Sequence, residues 1–185
     1  MLHAEGPRDT GSFKNCQRIF SGKLLRQKQR RGNTRKGGII AISLGKDDKL
    51  IDVQLTNGKQ EILIGTHGGM AIRFNESDVR SMGRTAAGVR AIKLDKKDFV
   101  VGLVAVKRAG TSILVVTDKG YGKRSDLQDY RMTRRGGKGV ITMKSSDKNG
   151  SVISIREVVD NDDLMIITTK GIMIRQNLGE IRVMG

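Results

Sequence analysis

The stretch Thr117–Gly139, TDKGYGKRSDLQDYRMTRRGGKG, decides the fold because the chain repeats its pattern at a fixed distance. Its opening residues 117–120 are matched by 66–69 and by 168–171, each 51 residues from the next. The same spacing separates Arg80, Arg131 and Arg182. Each of these arginines lies two residues after an aspartate or a glutamate. A period of this length is typical of a propeller blade or another stacked unit that cannot bury its apolar face alone.

Each unit consists of short apolar runs that are separated by polar turns. Apolar and polar residues alternate over 50–55, Asn57-Gly58 follows, and a second apolar run covers 61–64. Asn-Gly between two such runs predicts a β-hairpin, because a type I′ turn needs positive φ at both central residues. Strand pairs are also predicted around Gly69, Gly120 and Gly171, where glycine adopts positive φ at little cost. We therefore expect the same backbone conformation at these three glycines.

Helical signals are nearly absent from the chain. No long window shows a sustained helical spacing of apolar residues, and 24 glycines would weaken helices wherever they fell. The sequence predicts an all-β protein whose units of about 51 residues each supply about four strands.

The composition favours a polyanionic partner. The chain of 185 residues carries 35 Lys and Arg against 19 Asp and Glu, a formal net charge of +16, which is typical of nucleic-acid-binding proteins. The alternative is that the charge only keeps the protein in solution. A single cysteine, Cys16, cannot form an internal disulfide, and no apolar run approaches the length of a membrane span. We expect a cytoplasmic protein without a membrane partner.

Residues 1–35 differ from the rest because they contain nine Lys and Arg but only two acids. We interpret 1–35 as a basic arm or a degenerate partial repeat, and 36–185 as the repeat domain. A solvated tail is the alternative interpretation of the arm. The repeats remain basic without it, with 26 Lys and Arg against 17 Asp and Glu.

Catalytic or metal-binding residues are scarce. His3 lies in the amino-terminal stretch and His67 in a tight turn, and no second Cys or His cluster accompanies them. The acidic stretch Asp160–Asp163 lacks the spaced ligands of a calcium loop. The glycine-rich residues 135–139 lack the spacing of a nucleotide-binding phosphate loop. We therefore expect neither a metal nor a cofactor in this chain.

Basic residues recur with the repeat, and a stacked repeat places equivalent positions along one edge. These residues are predicted to form a row of cations that contacts DNA phosphates without reading bases. The alternative is that some of them pair with the acid two residues earlier, as Arg80 could with Asp78. The recurring positions are Arg73, Arg124 and Arg175; Arg80, Arg131 and Arg182; Arg84 and Arg135; and Lys93 and Lys144.

Four segments closely resemble successive blades of the carboxy-terminal domain of DNA gyrase A. They are GGIIAISL, EILIGTHGGMAIRFNESDVRSMGRTAAGVRAIKL, LVVTDKGYGKRSDLQDYRMTRRGGKGVITMK and ITTKGIMIRQNLGEIRVMG, and the resemblance covers about residues 36–185. The corresponding domain of topoisomerase IV is also similar, but the resemblance to gyrase A is the preferred assignment. The resemblance implies a β-pinwheel, a propeller-like disc of four-stranded blades that exchange strands, here incomplete with about three blades.

The resemblance also implies that duplex DNA bends around a basic rim, as part of a topoisomerase that supercoils DNA. The nearest match to the family's wrapping box, QRRGGKG, is Thr133–Gly139, TRRGGKG, which has Thr133 in place of the glutamine and lies inside the chain, so it resembles a later, degenerate copy of the box. We expect its two arginines and its lysine to bind a phosphate beside two glycines, although a flexible basic turn is the alternative. The residues expected to contact DNA are Arg73, Arg80, Arg84, Lys123, Arg124, Arg131, Arg134, Arg135, Lys138, Lys144, Arg175 and Arg182, and the turn glycines are Gly69, Gly120, Gly136, Gly137, Gly139 and Gly171.

The family's strand-cleaving tyrosine belongs to a domain that the sequence does not resemble. Tyr121 and Tyr130 are therefore expected to be structural or to face DNA, and the chain is expected to be a fragment without cleavage activity. The rest of gyrase A, together with gyrase B, ATP and Mg²⁺, would belong to the complete topoisomerase. A propeller-like scaffold for protein partners and an autonomous enzyme are the competing hypotheses.

Overall fold

The computed structural model describes residues 18–19, 41–83 and 86–185. They form eleven strands and three short 3₁₀ turns, which are, in chain order, β1 Arg18–Ile19, β2 Glu61–Thr66, β3 Met70–Asn75, η1 Glu76–Asp78, β4 Val89–Arg90, β5 Val100–Val106, β6 Ser112–Thr117, β7 Gly122–Asp126, η2 Leu127–Asp129, β8 Val140–Ile141, β9 Val152–Val158, β10 Asp163–Ile167, β11 Met173–Asn177 and η3 Leu178–Glu180. The prediction of an all-β chain is confirmed.

Three antiparallel hairpins, β2–β3, β6–β7 and β10–β11, repeat along the chain. Each turns at a glycine with nearly the same φ, +84° at Gly69, +82° at Gly120 and +83° at Gly171. An L-residue side chain is unfavourable at such angles, so glycine recurs where the turn requires it. The predicted equivalence of these three positions is confirmed.

The sheets are built by strand exchange between repeats. The sheet around the first hairpin has the strand order β5-β2-β3-β8. Strand β5 comes from the second repeat, and strand β8 comes from the third repeat. The second hairpin receives β9 in the place that β5 occupies in the first, giving the order β7-β6-β9. Among the described strands, the third hairpin forms a two-stranded sheet, and the sheets do not close on one another. A repeat therefore supplies about four strands, as predicted, but to different sheets.

The predicted strand at 50–55 is absent, and that prediction is wrong. Residues 50–55 form no ladder, although Gly58 does turn with φ of +91°. The edge of β2 that a local hairpin would use is occupied by β5, in a register that runs from Glu61 opposite Val106 to Thr66 opposite Val100. The exchanged strand takes the ladder hydrogen bonds that sequence proximity assigned to 50–55.

The three 3₁₀ turns also recur at the repeat distance and were not predicted. Each follows the second strand of a hairpin, where a short polar side chain ends the ladder. The Asp126 carboxylate accepts a hydrogen bond from the amide of Gln128 at 2.7 Å, and the Asn177 side chain accepts one from Gly179 at 2.9 Å. These two caps begin η2 and η3, which lie against Arg73 and Arg124 of the preceding unit's hairpin, whereas Asn75 makes no such cap at η1.

The core lies between successive units. One buried cluster joins Leu63, Ala71 and Val104 of the first sheet with residues of the second, among them Ile113 and Ile155. Ideal side chains at Gly65 and Gly102 would lie 3.0 and 3.1 Å from Ile155, so these glycines allow the two sheets to approach. Each unit therefore buries its apolar face against the next one.

Candidate nucleic-acid interface

Two of the recurring arginines are buried between repeats. Arg73 is 7% exposed. Its Nη2 and Nε donate to Glu61 Oε2 at 2.6 and 2.9 Å, and its Nη1 donates to the carbonyl oxygens of Leu127 and Tyr130 at 2.8 and 3.1 Å. The guanidinium group therefore joins the first hairpin to the turn η2 of the next unit.

Arg124 makes the same connection one repeat later. It is 3% exposed, and its Nη1 donates to the carbonyl oxygens of Leu178 and Ile181 at 2.8 and 3.3 Å. Its Nη2 donates to the Ser112 hydroxyl at 3.2 Å and forms an ion pair with Asp160. We call Arg73 and Arg124 the inter-unit arginines.

The inter-unit arginines are not available to a phosphate. Both are buried and both donate to protein acceptors. They are therefore removed from the residues that were predicted to contact DNA. Neither follows the alternative of pairing with an acid two residues earlier, because the carboxylates come from Glu61 and Asp160. A buried cation needs such partners, because an unpaired charge in a core is strongly destabilising.

Arg175 occupies the same repeat position but is 71% exposed. It pairs with Asp163, and hydrogen bonding to Arg175 lowers the pKa of the Asp163 carboxyl. Nearby, Asp162 accepts a hydrogen bond from the Val159 amide and one from Arg108, and these bonds lower its pKa. The acidic stretch 160–163 therefore binds arginines of the protein itself, a role that its sequence did not reveal.

A second set of recurring arginines lies at the surface. Arg80, Arg131 and Arg182 are all exposed, and no ion pair engages them within the described part of the chain. In particular, Asp78 does not neutralise Arg80 there, which was the alternative interpretation. Each follows one of the 3₁₀ turns, so the repeated turns place one outward cation on each unit.

The loop 134–138 is firmly attached to the protein. Arg135 donates from Nε to the carbonyl oxygen of Asp78 and from Nη1 to that of Arg90, both at 2.9 Å. The Gly136 amide donates to the Ala91 carbonyl at 2.6 Å, and the Gly137 carbonyl accepts from the Lys93 amide at 2.8 Å. These four bonds argue against a flexible basic turn.

The same bonds change which residues of this loop could contact a phosphate. The Gly136 amide already donates to the Ala91 carbonyl oxygen, so it is not free to bind a phosphate, whereas Gly137 is exposed. Arg135 is half-buried and bound to carbonyl oxygens, whereas Arg134 is exposed. Lys138 is exposed as well and forms a surface ion pair with Asp95 at 3.2 Å. Arg134 and Lys138 are thus the charges that this loop presents to solvent.

The remaining predicted contacts differ in their exposure. Lys123 is half-buried, with Nζ 3.5 Å from the Thr142 carbonyl oxygen, while Lys144 is exposed. Arg84 lies outside the described residues. Gly139 has φ of +80°, and a Cβ there would overlap the Ala71 carbonyl oxygen, so its role is close packing of β8 against β3.

The two tyrosines have different surroundings. Tyr130 is buried, and its hydroxyl lies 2.5 Å from the Thr142 hydroxyl, so it is structural. Burial raises the pKa of the Tyr130 phenol above its ordinary value. Tyr121 is exposed on a hairpin and remains available to a partner.

The described residues contain neither a cluster of metal ligands nor a helix that could span a membrane. Within 41–83 and 86–185, no group of three or more His, Cys, Asp or Glu could hold a metal ion. None of the helices described there is long and apolar enough to cross a bilayer.

The repeated hairpins, the exchanged strands and the outward cations define a propeller-like repeat protein of the β-pinwheel class. The family model described as "DNA gyrase C-terminal domain, beta-propeller" matches residues 32–57, 60–107, 111–158 and 162–185. The chain therefore belongs to the family of DNA gyrase carboxy-terminal domains.

Relatives and solved structures agree with this assignment. The DNA gyrase A protein of Haloquadratum walsbyi is 49% identical over 154 residues, covering 83% of this chain and 18% of that relative. The DNA gyrase A protein of Staphylococcus aureus strain MRSA252 is 48% identical over 147 residues, covering 79% and 17%. The chain thus spans less than a fifth of the length of these relatives.

The fold is shared with solved domains of the same kind. A DNA gyrase A carboxy-terminal domain has a TM-score of 0.74 at 28% identity, covering 82% of this chain and 52% of that one. The carboxy-terminal domain of a DNA topoisomerase IV also has a TM-score of 0.74, at 30% identity, covering 78% and 45%.

Proposed function

We propose that the chain binds and bends duplex DNA without sequence preference, as a wrapping module of an ATP-dependent type II topoisomerase that supercoils DNA. The observation that carries this proposal is the outward arginine at one position of each unit, Arg80, Arg131 and Arg182, on a chain with net charge +16. Cations that recur at one exposed position of each unit can contact successive phosphates of a duplex, and they need no base contacts. Membership of the gyrase family supports the same interpretation.

The contact set is narrower than the one the sequence suggested. It comprises the three outward arginines together with Arg134, Lys138, Lys144 and Lys123, and Arg175 joins it only as a charge that Asp163 partly neutralises. Arg135 supports Arg134 by holding the loop in place. Arg134 would contribute more than an equally charged residue that lies beside acids.

The complete enzyme would supply the remaining parts of the reaction. The rest of gyrase A, together with gyrase B, ATP and Mg²⁺, would act with this module in the cytoplasm, at the nucleoid. We expect no strand cleavage by this chain alone, because Tyr130 is buried and hydrogen-bonded to Thr142. Cleaved DNA that disappears in a Tyr121→Phe variant would contradict this expectation.

The salt dependence of DNA binding tests the proposal. Each lost phosphate contact should reduce the slope of log K against log salt by about 0.9. The double variant Arg131→Ala/Arg134→Ala should therefore lose affinity at low salt and have a slope shallower by about 2, with sequence preference unchanged. Titration of the full chain with a fluorescent duplex at several salt concentrations measures both quantities.

A matched control separates local contacts from net charge. Lys96→Ala/Lys97→Ala removes the same charge beside Asp95 and Asp98, and it should change the slope little. If the control loses as much affinity and slope, binding is a property of net charge alone. An affinity that does not change with salt would instead favour the protein-interaction scaffold.

A further inference from the structure

A polar cleft opens between the first and second repeats. Its volume is about 690 Å³, which is within the range of sites for small ligands. The first repeat lines the cleft with residues 57, 59–61 and 73, and the second repeat lines it with 106–112 and 126–128. We call this space the inter-repeat cleft.

The charge of the inter-repeat cleft is opposite in sign to that of the equivalent residues at the next junction. The cleft is lined by four cations and two acids, Lys59, Arg73, Lys107 and Arg108 against Glu61 and Asp126. The residues 51 positions later include two cations and four acids, Arg108 and Arg124 against Glu157, Asp160, Asp162 and Asp163. The formal charge of the same fifteen positions therefore changes from +2 to −2.

At the second junction, acids of the third repeat bind the second repeat. Asp162 accepts a hydrogen bond from Arg108 Nη1 at 2.6 Å, the Arg108 amide donates to Glu157 at 2.9 Å, and Asp160 pairs with Arg124. The first repeat takes no part in these contacts. An equivalent network in the inter-repeat cleft would therefore need only the two repeats that line it.

The inter-repeat cleft lacks these three carboxylates. Their positions are taken by Val106, Ala109 and Thr111, none of which carries a charge. Glu61 does not replace them, because it forms an ion pair with Arg73 at 2.6 Å. The first junction thus has the space for anionic groups but does not supply them from its own sequence.

Two lysines add positive charge to the cleft. Lys59 comes from the first repeat and Lys107 from the second, and both are exposed. Within the described part of the chain no ion pair engages either lysine, and Asp126 accepts a hydrogen bond from the Gln128 amide at 2.7 Å. The residues equivalent to the two lysines at the next junction are uncharged. A cleft lined mainly by one sign of charge concentrates ions of the opposite sign.

We propose that the inter-repeat cleft binds a small polyphosphate anion, of the size of pyrophosphate or tripolyphosphate, which joins the first repeat to the second. The anion supplies the negative groups that Glu157, Asp160 and Asp162 supply one repeat later. The ammonium groups of Lys59 and Lys107 donate to its oxygens from the two sides of the junction. Because three carboxylates are missing, an anion with several charges fits better than one with a single charge. The site does not rest on the proposed DNA binding.

Calorimetric titration of the full chain with sodium pyrophosphate tests the proposal. At physiological ionic strength we expect saturable binding of one pyrophosphate per chain. The double variant Lys59→Ala/Lys107→Ala should bind at least about tenfold more weakly, because each lysine makes a charge-assisted contact. Sodium sulfate at equal ionic strength, which carries fewer charges, should bind more weakly than pyrophosphate to the unmodified chain.

A second variant adds an acid to the cleft instead of removing its cations. Ala109→Asp places a carboxylate at the exposed position that corresponds to Asp160 one repeat later. Pyrophosphate binding should weaken by at least roughly tenfold, because the new acid repels the ligand. Pyrophosphate should also raise the unfolding midpoint of the unmodified chain more than that of this variant, since a ligand that binds the folded state stabilises it. Circular dichroism checks that both variants remain folded.

A matched control separates the cleft from net charge. Lys96→Ala/Lys97→Ala removes the same charge outside the cleft and should keep its pyrophosphate affinity within about twofold. An equal loss in this control would overturn the proposal, because attraction by net charge would then explain the binding. The absence of saturable binding to the unmodified chain would overturn it as well.

Duplex DNA is the other source of phosphate groups, and its binding distinguishes the two. Lys59→Ala/Lys107→Ala should leave the slope of log K against log salt for a duplex nearly unchanged. A slope shallower by about 2 would show that the two lysines contact DNA phosphates, and the site for a small anion would be wrong. Unchanged duplex binding together with weakened pyrophosphate binding supports the inter-repeat site.

Discussion

At the scale of single residues, one repeated arginine position has two environments. Arg73 and Arg124 hold carbonyl oxygens of the next unit and are buried, whereas Arg175 is exposed. The surrounding sequence at the three positions is similar, and each lies on the second strand of a hairpin. An arginine at this position is therefore buried where a 3₁₀ turn of the next unit packs against its guanidinium group.

Replacing Arg124 by alanine should destabilise the protein strongly. The change removes the guanidinium donor from the carbonyl oxygens of Leu178 and Ile181 and leaves a cavity between the units, which should lower the free energy of unfolding by about 2–4 kcal/mol. Arg175→Ala is the matched control and should change the free energy of unfolding little, because an exposed pair contributes little. Urea unfolding measures both values, and equal losses would show that Arg124 does not stabilise the interface between units.

At the scale of the element, the hairpin turns are alike in backbone and different in surroundings. Gly69 and Gly120 have φ of +84° and +82°. A Cβ at Gly69 would overlap the Met143 carbonyl oxygen, while a Cβ at Gly120 would meet no atom within 4 Å. The chain that follows β8 therefore covers the first turn at Gly69, whereas the second turn is open at Gly120.

Alanine at these two turns should separate backbone strain from steric overlap. Gly120→Ala carries only the cost of positive φ, about 1–2 kcal/mol. Gly69→Ala carries the same cost and must also displace the backbone at Met143, so we expect a loss of at least about 3 kcal/mol. Thermal and urea unfolding of both variants check the difference. Equal losses would mean that the contact at Met143 relaxes freely.

At the scale of the whole molecule, the net positive charge lowers the stability of the folded chain. A formal charge of +16 attracts a polyanion but also destabilises the compact state through self-repulsion. The described ion pairs of Arg73, Arg108, Arg124, Lys138 and Arg175 relieve this repulsion only locally.

Added salt should therefore stabilise the folded chain while it weakens DNA binding. At dilute protein, moderate sodium chloride should raise the unfolding midpoint by roughly 2–4 °C, which corresponds to about 1 kcal/mol for a chain of this size. Potassium chloride should act equally, because screening depends on ionic strength. A midpoint that falls with salt would show that the ion pairs outweigh the repulsion. Scanning calorimetry in both salts measures it.

The sequence by itself determined the local conformation and the repeat. Gly69, Gly120 and Gly171 could be placed in turns from their spacing, because positive φ is a property of the residue itself. The all-β class followed from short apolar runs and abundant glycine, and the net charge could be counted directly.

Only the tertiary structure decided which strands pair and which cations reach solvent. Asn57-Gly58 predicted a hairpin that does not form, because β5 from the next unit occupies the edge of β2. Arg73 was expected to face DNA and is buried, because η2 of the next unit covers it. Both outcomes depend on contacts 34 to 57 residues away along the chain. Hydrogen-bond partners at that distance are set by packing rather than by local propensity.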